Sequence, residues 1–146
     1  MAITSAICNS FKQEILEAEH NFTASTGNTF NLALYDSDAS LGAGTTAYTT
    51  SEEITNTSGT AYTAKGKALT SVTPTLDSST AVCDFADVSW TSASFTARGC
   101  MIFNDSHSTD ASVCCIDFGG DKTATSGTFT IQFPAASATA AIIRIA

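Results

Sequence analysis

Residues 88–118 read VSWTSASFTARGCMIFNDSHSTDASVCCIDF and contain the only tryptophan, one of the two arginines and three of the five cysteines of the chain. Two apolar runs, residues 95–103 and 113–118, flank residues 104–110, where Asn, Asp, Ser and His provide turn chemistry without helical periodicity. This pattern predicts a long antiparallel hairpin, around which the rest of the fold is built.

Alternation of apolar and polar residues predicts further strands on both sides of this hairpin. Residues 30–35 are the clearest case, because Phe30, Leu32 and Leu34 share one face. Weaker β patterns occupy residues 48–54, 67–72, 82–90, 129–133 and 141–146. Residues 56–59 are expected to form a turn, and residues 36–46 and 119–127 are expected to form loops.

Two proline and bulge signals refine these strands. Pro74 is expected to end the 67–72 strand or to lie at a sheet edge, because proline cannot donate to a β-ladder. The imperfect alternation at residues 85–88 indicates a bend or bulge, and Gly99 indicates a bulge or a close backbone approach.

The N-terminal region carries the one helical pattern. Residues 5–19 place Phe11 and Ile15 on one face, with Ser5 as a possible cap. Because so short a helix has only marginal stability by itself, we expect its apolar side to pack on the sheet or on a neighbouring subunit.

Together these patterns predict an all-β protein: an antiparallel β-sandwich or jelly roll with one short N-terminal helix. The length of 146 residues fits a single domain, residues 1–146, with the helix in 5–19 and the sandwich in 28–146.

Charge and hydropathy restrict the classes of partner. The net charge is −8 and the six basic residues are scattered, which argues against nucleic-acid binding, since that needs clustered Lys and Arg. No apolar run has the length of a membrane span, and residues 1–5 show no secretory signal. We therefore expect a soluble protein that binds neither nucleic acid nor membrane.

Acidic and glycine-rich motifs give no catalytic constellation. Asp36 and Asp38 begin like a calcium loop but lack its Gly and terminal Glu, so a solvated turn is expected. Asp84, Asp87 and Asp117 could act as a glycosidase-type carboxylate pair only if their strands met beside a sugar cleft. Residues 119–123 lack phosphate-loop spacing.

The histidines add no ligand set either, because His20 and His107 stand in polar segments and are expected at the surface. We therefore predict that the protein is not an enzyme and has no catalytic residue, cofactor or metal.

The five cysteines lack disulfide or zinc spacing, so buried free thiols are expected. Cys114 and Cys115 must point to opposite faces of a strand, and one of them could face Cys83 or Cys100. Such a pair would stay reduced in a cytoplasm and would link only in oxidising surroundings.

Arg98 is expected to pair with a carboxylate such as Asp84, Asp87 or Asp117, or to reach across an interface. The candidate structural or interface residues are Arg98, Trp90, Phe11, Ile15, Cys114 and Cys115.

Six segments of the chain, spread over nearly its whole length, carry a family resemblance. They are CNSFKQEILE (8–17), FNLALY (30–35), TTAYTT (45–50), VSW with SFTARG (88–90 and 94–99), DFGGDKT (117–123) and AIIRI (141–145). In these segments the chain resembles a family of small virion structural proteins of tailed bacteriophages.

That resemblance implies a capsid decoration or cement protein, made in the host cytoplasm and located in the virion. It implies binding to the major capsid protein as a homo-oligomer, a dimer or trimer, without catalytic residues. The alternatives are a tail or neck component and, from another class, a carbohydrate-binding sandwich displayed on the particle, with a glycan hydrolase more distant. A carbohydrate-binding module would expose Tyr35, Tyr48 and Tyr62 on one concave face.

Overall fold

The computed structural model describes residues 2–55 and 60–146, and the turn predicted at residues 56–59 lies outside them. Two antiparallel sheets and one short helix form a sandwich-like all-β fold, which confirms the predicted class. The elements are β1 (Ala6–Ile7), α1 (Asn9–Leu16), β2 (Phe30–Tyr35), β3 (Lys67–Ala68), β4 (Ser71–Asp77), β5 (Thr80–Phe85), β6 (Val88–Asn104), β7 (Ser112–Ile131) and β8 (Ile143–Ile145). The large sheet has the order β1-β7-β6-β2-β3, and the small sheet has the order β4-β5-β8.

The predicted central hairpin is present and is longer than its apolar runs indicate. β6 and β7 pair from Phe103 opposite Ser112 to Val88 opposite Ile131. Residues 119–127, predicted as a loop, lie within β7. Their small polar side chains resemble a loop in sequence, but they complete cross-strand contacts such as the 2.7 Å hydrogen bond between the hydroxyls of Thr96 and Thr123.

Irregular pairing bends this hairpin. The register between β6 and β7 shifts at four places between Trp90 and Phe103. Gly99 lies at one shift, and a Cβ there would stand 2.5 Å from the carbonyl oxygen of Ile116, so the predicted close approach is confirmed. Such bulges increase the local twist and bend the strands.

The N-terminal prediction is corrected. The helix spans Asn9–Leu16 rather than residues 5–19, because Ala6 and Ile7 instead pair with Cys115 and Cys114 at the edge of β7. Ser5 does not cap the helix, since its hydroxyl accepts a hydrogen bond from the backbone N–H of Asp117.

Two other strand boundaries differ from the predictions because the chain changes sheets. The predicted 67–72 strand divides into β3 of the large sheet and β4 of the small sheet. Pro74 lies within β4, which is an edge strand, so the predicted position at a sheet edge is confirmed. At the predicted bend the chain leaves the small sheet after Phe85 and enters the large sheet at Val88.

Weaker patterns are only partly realised as strands. Residues 48–54 contribute an isolated bridge between Tyr35 and Glu53 rather than a strand. β7 ends at Ile131, before Phe133, and the C-terminal pattern forms β8 over Ile143–Ile145.

Both faces of the large sheet are covered, so the core lies on both sides of it. On one face Phe30 approaches Phe85 of the small sheet, with ring centroids 5.8 Å apart. On the other face residues 36–55 and 60–66 form an irregular cover, in which Tyr48 stacks on Phe103 at 4.8 Å. Central strands such as β2 are therefore buried almost throughout, although their sequence alternates.

Within the residues that the structure describes, no helix combines the length and hydropathy needed to cross a membrane.

Candidate functional site

The six residues predicted as structural or interface candidates do not form one site. Trp90 is buried in the core, between Tyr62, Phe95 and Phe129, with ring centroids 6.0 to 6.3 Å away. Phe11 is buried against the rings of His20 and Phe22. Ile15 is half-buried and lines a groove between α1 and the small sheet.

Arg98 is more accessible than Cys114 and Cys115. It pairs with Asp117, one of the three carboxylates predicted as its partner. Its Nε lies 3.1 Å from Asp117 Oδ1, and its guanidinium also lies 3.6 Å from Asp121. The backbone N–H of Gly119 donates to Asp117 as well, and together with Arg98 it lowers the pKa of that carboxyl. This partly exposed cluster ties β6 to β7.

The cysteines are all buried and free, as predicted. Cys114 and Cys115 face opposite sides of the large sheet. Cys114 has Cys83 among its neighbours, and burial raises the pKa of Cys114 to about 12. Cys115 lies beside Cys8, and both thiols approach the carbonyl oxygen of Gly42, at 3.8 and 3.9 Å. A hydrogen bond from Cys115 lowers the pKa of Cys8 to about 7, and the same bond raises the pKa of Cys115.

His20 corrects the prediction of a surface histidine. It is buried, its Nε2 lies 2.8 Å from Glu14 Oε2, and Asn104 donates to its Nδ1 at 3.1 Å. That donation requires an unprotonated Nδ1, so Nε2 carries the proton and donates to Glu14. His107 is half-buried, 3.5 Å from Glu19.

A buried carboxylate that the sequence did not single out lies under the irregular cover. Glu53 accepts hydrogen bonds from the hydroxyls of Tyr48 (2.5 Å) and Tyr62 (2.7 Å) and from the backbone N–H of Lys65 (2.8 Å). Burial is the main cause that raises the pKa of Tyr48 to about 12 and the pKa of Tyr62 further. The hydrogen bond to Glu53 is the second cause for both tyrosines. With three donors the carboxylate is satisfied, so its role is to hold the cover in place.

The other acidic residues do not converge on a catalytic pair. Asp84 accepts from the N–H of Phe85 and Asp87 from the N–H of Phe133, each at 2.8 Å, whereas Asp117 pairs with Arg98.

One acidic cluster does form near the surface. Ligand oxygens of Asp36, Asp38 and Glu52 lie within 4.8 Å of one another. Exposed acidic groups commonly cluster without an ion, and the 2.9 Å hydrogen bond from the N–H of Asp38 to Asp36 fits the predicted turn.

The outer end of the small sheet exposes a row of apolar side chains. Leu76, Ala81 and Ile145 are register neighbours across β4, β5 and β8, and Leu76 and Ile145 are 73% and 58% exposed. We call these three residues the apolar row. It adjoins the groove beside Ile15, a cavity of about 420 Å³ that Ala81 and Ile145 also line.

A larger cavity, of about 780 Å³, lies beside the central hairpin. β1, both halves of β7 and the segment before β8 line it, and its lining is mostly apolar. We call it the hairpin cavity. Neither this cavity nor the apolar row has a sequence signal, because both depend on how far the two sheets cover each other.

Comparison of the chain with protein-family models, with curated proteins and with solved structures finds no significant match.

Proposed function

We propose that this protein is a structural component of a tailed-phage virion, a decoration or cement protein that binds the major capsid protein shell. The observation that carries the proposal is the apolar row, because exposed apolar side chains that are neighbours across three strands can be buried together by a partner protein. The resemblance in the six sequence segments supplies the particle as its setting.

The chemistry of the described residues supports docking rather than turnover. The buried polar groups Glu53 and His20 are satisfied by internal partners, and Asp84, Asp87 and Asp117 are engaged separately. A cement protein needs no reactive group, since it acts by adding buried area at junctions between capsid subunits. Many copies then act together, so each contact can be weak.

The position of the tyrosines favours this role over carbohydrate binding. Tyr35 and Tyr62 are buried, and Tyr48 is half-buried against Phe103. A glycan-binding face needs exposed aromatic rings, and these three rings are used for packing.

The experiment is co-sedimentation of the purified protein with empty shells assembled from the major capsid protein encoded in the same genome. We expect binding to the shells, and a dimer or trimer by light scattering. Leu76→Asp should abolish binding without unfolding the protein, because that side chain is 73% exposed.

Leu16→Asp is the matched control, since Leu16 is 88% exposed but lies on α1, outside the apolar row. Equal loss of binding in both variants, or no binding of the wild type to shells, would contradict the proposal. Gold-labelled antibody bound to the tail or neck of intact particles would favour the tail or neck alternative.

A further inference from the structure

The hairpin cavity has the size and lining of a small-molecule site. Its volume of about 780 Å³ lies within the range of roughly 300–1,000 Å³ that such sites occupy. Most of the half-buried apolar side chains that border the core line it, including Ile116, Phe118 and Ile131. An apolar molecule that covers these side chains removes their surface from water, which is the main source of binding free energy at such a site.

Lys122, a cation without a polar partner among residues 2–55 and 60–146, lies in the lining of this cavity. The ammonium group of Lys122 makes no hydrogen bond or ion pair with any residue in 2–55 or 60–146. The other five basic side chains each have a polar or charged neighbour: Lys12 has Asn9, Lys65 has Asp105 and Asp110, Lys67 has the carbonyl of Ser89, Arg98 has Asp117, and Arg144 has the carbonyl of Ala138.

The charge of Lys122 and the apolar lining together specify the ligand. An exposed lysine alone holds a small anion weakly, because solvent screens the pair. An uncharged apolar molecule would leave the ammonium unused. A molecule with one carboxylate and a long apolar tail satisfies both features.

We propose that the hairpin cavity binds an amphipathic monocarboxylate of the fatty-acid class, with its tail against Ile116, Phe118 and Phe129 and its carboxylate at Lys122. Phe118 and Phe129 form the aromatic part of the lining, with ring centroids 6.4 Å apart. This site is separate from the apolar row, so the inference goes beyond the proposed function and does not depend on it.

The test is titration calorimetry of the purified full chain with decanoate, compared with 1-decanol. We expect saturable binding of decanoate at one site per chain. Lys122→Ala should weaken decanoate binding about two- to fivefold and leave decanol binding unchanged, because it removes one solvent-exposed ion pair. Lys12→Ala, on α1 and outside the cavity, is the charge control.

A blocking variant tests the location. Thr128→Trp places an indole in the cavity from an exposed position of β7 and should abolish binding. Thr125→Trp is the matched control, because Thr125 is exposed on the same strand but does not line the cavity. Circular dichroism and thermal melting check that both variants fold.

Three results would overturn the proposal. They are the absence of saturable decanoate binding by the wild type, binding that Thr128→Trp leaves intact, and equal effects of Lys122→Ala on decanoate and decanol. If Thr128→Trp does not fold, Ala124→Leu, a smaller change in the same lining, replaces it and should weaken binding.

Discussion

At the scale of single residues, the irregular cover of the large sheet depends on Glu53. Its carboxylate joins Tyr48, Tyr62 and the backbone of Lys65, and the hydroxyl of Tyr62 also accepts a hydrogen bond from the N–H of Leu34 in β2, at 3.0 Å. Tyr62 therefore joins the cover internally through Glu53 and links it to the sheet through Leu34, in both cases by a buried hydrogen bond. Residues without secondary structure are held by such polar contacts, because they have no ladder of their own.

Tyr62→Phe is expected to lower the free energy of unfolding by about 1–3 kcal/mol, because it leaves the buried N–H of Leu34 without its hydrogen bond and removes one of the three donors to Glu53. Tyr48→Phe is the comparison, since Tyr48 is half-buried and its hydroxyl donates to Glu53 without also accepting from a backbone N–H of the described residues. Its expected cost is smaller, about 0.5–1.5 kcal/mol. Urea unfolding measures both, and a larger loss in Tyr48→Phe would show that the Tyr62 link is not the main one.

At the scale of elements, α1 is held to the fold by one side only. Phe11 is 3% exposed and packs against His20, whereas Leu16 on the same helix is 88% exposed. A helix of 8 residues has little stability of its own, so its position depends on the contacts of Phe11 and on the bond between Glu14 and His20.

Phe11→Ala should lower the free energy of unfolding by about 3–5 kcal/mol, because it leaves a cavity beside His20 and Phe22. Leu16→Ala, the matched variant, should change it by less than about 0.5 kcal/mol. Denaturant melts followed by circular dichroism give both values. Similar losses in the two variants would mean that Leu16 is covered in solution, for example by a second copy of the chain.

At the scale of the whole molecule, buried cysteine thiols and tyrosine hydroxyls are expected to make the stability of the fold decrease at alkaline pH. Burial raises the pKa of Cys83 and of Cys114 from 9.0 to about 12, and it also raises the pKa of Cys100, Tyr35 and Tyr62. The folded protein then keeps protons that the unfolded chain releases above pH 9. Stability from these groups is complete below that pH and is lost as the pH rises through the window from 9 to 12.

The free energy of unfolding, measured in reductant, should therefore fall between pH 9 and 11, by about 1.4 kcal/mol per pH unit for each such cysteine, and the tyrosines add to the fall only above their unfolded pKa of 10.0. Cys8 acts in the opposite direction and earlier, because its pKa is lowered to about 7 and its contribution grows only up to the unfolded value of 9.0. Cys83→Ala should make the alkaline slope shallower by one group. A flat profile from pH 9 to 11 would contradict the burial of these thiols.

How much the sequence predicted differs between fold and site. The all-β class, the central hairpin, strand β2 and the bend before Val88 were predicted correctly, because side-chain alternation and turn chemistry are local properties of the chain. The predicted partners of Arg98 included three carboxylates. Asp117 is the partner in the structure, because the register places Asp117 opposite Gly99, the neighbour of Arg98.

The errors share a physical cause. Residues 119–127 look like a loop because a strand with small polar side chains needs a partner strand to define it. His20 looks like a surface residue, yet Asn104 and Phe30, far along the chain, bury it. Ala6 and Ile7 leave the predicted helix because β7 offers them a free edge.

By itself the sequence determined the all-β class and the site of the central hairpin, since period two and turn residues act over a few neighbouring positions. Tertiary structure alone decided the sheet to which β3 and β4 belong, the burial of His20 and Glu53, the exposure of the apolar row and the hairpin cavity. Burial and empty space depend on which distant segments meet, and a local pattern carries no record of that meeting.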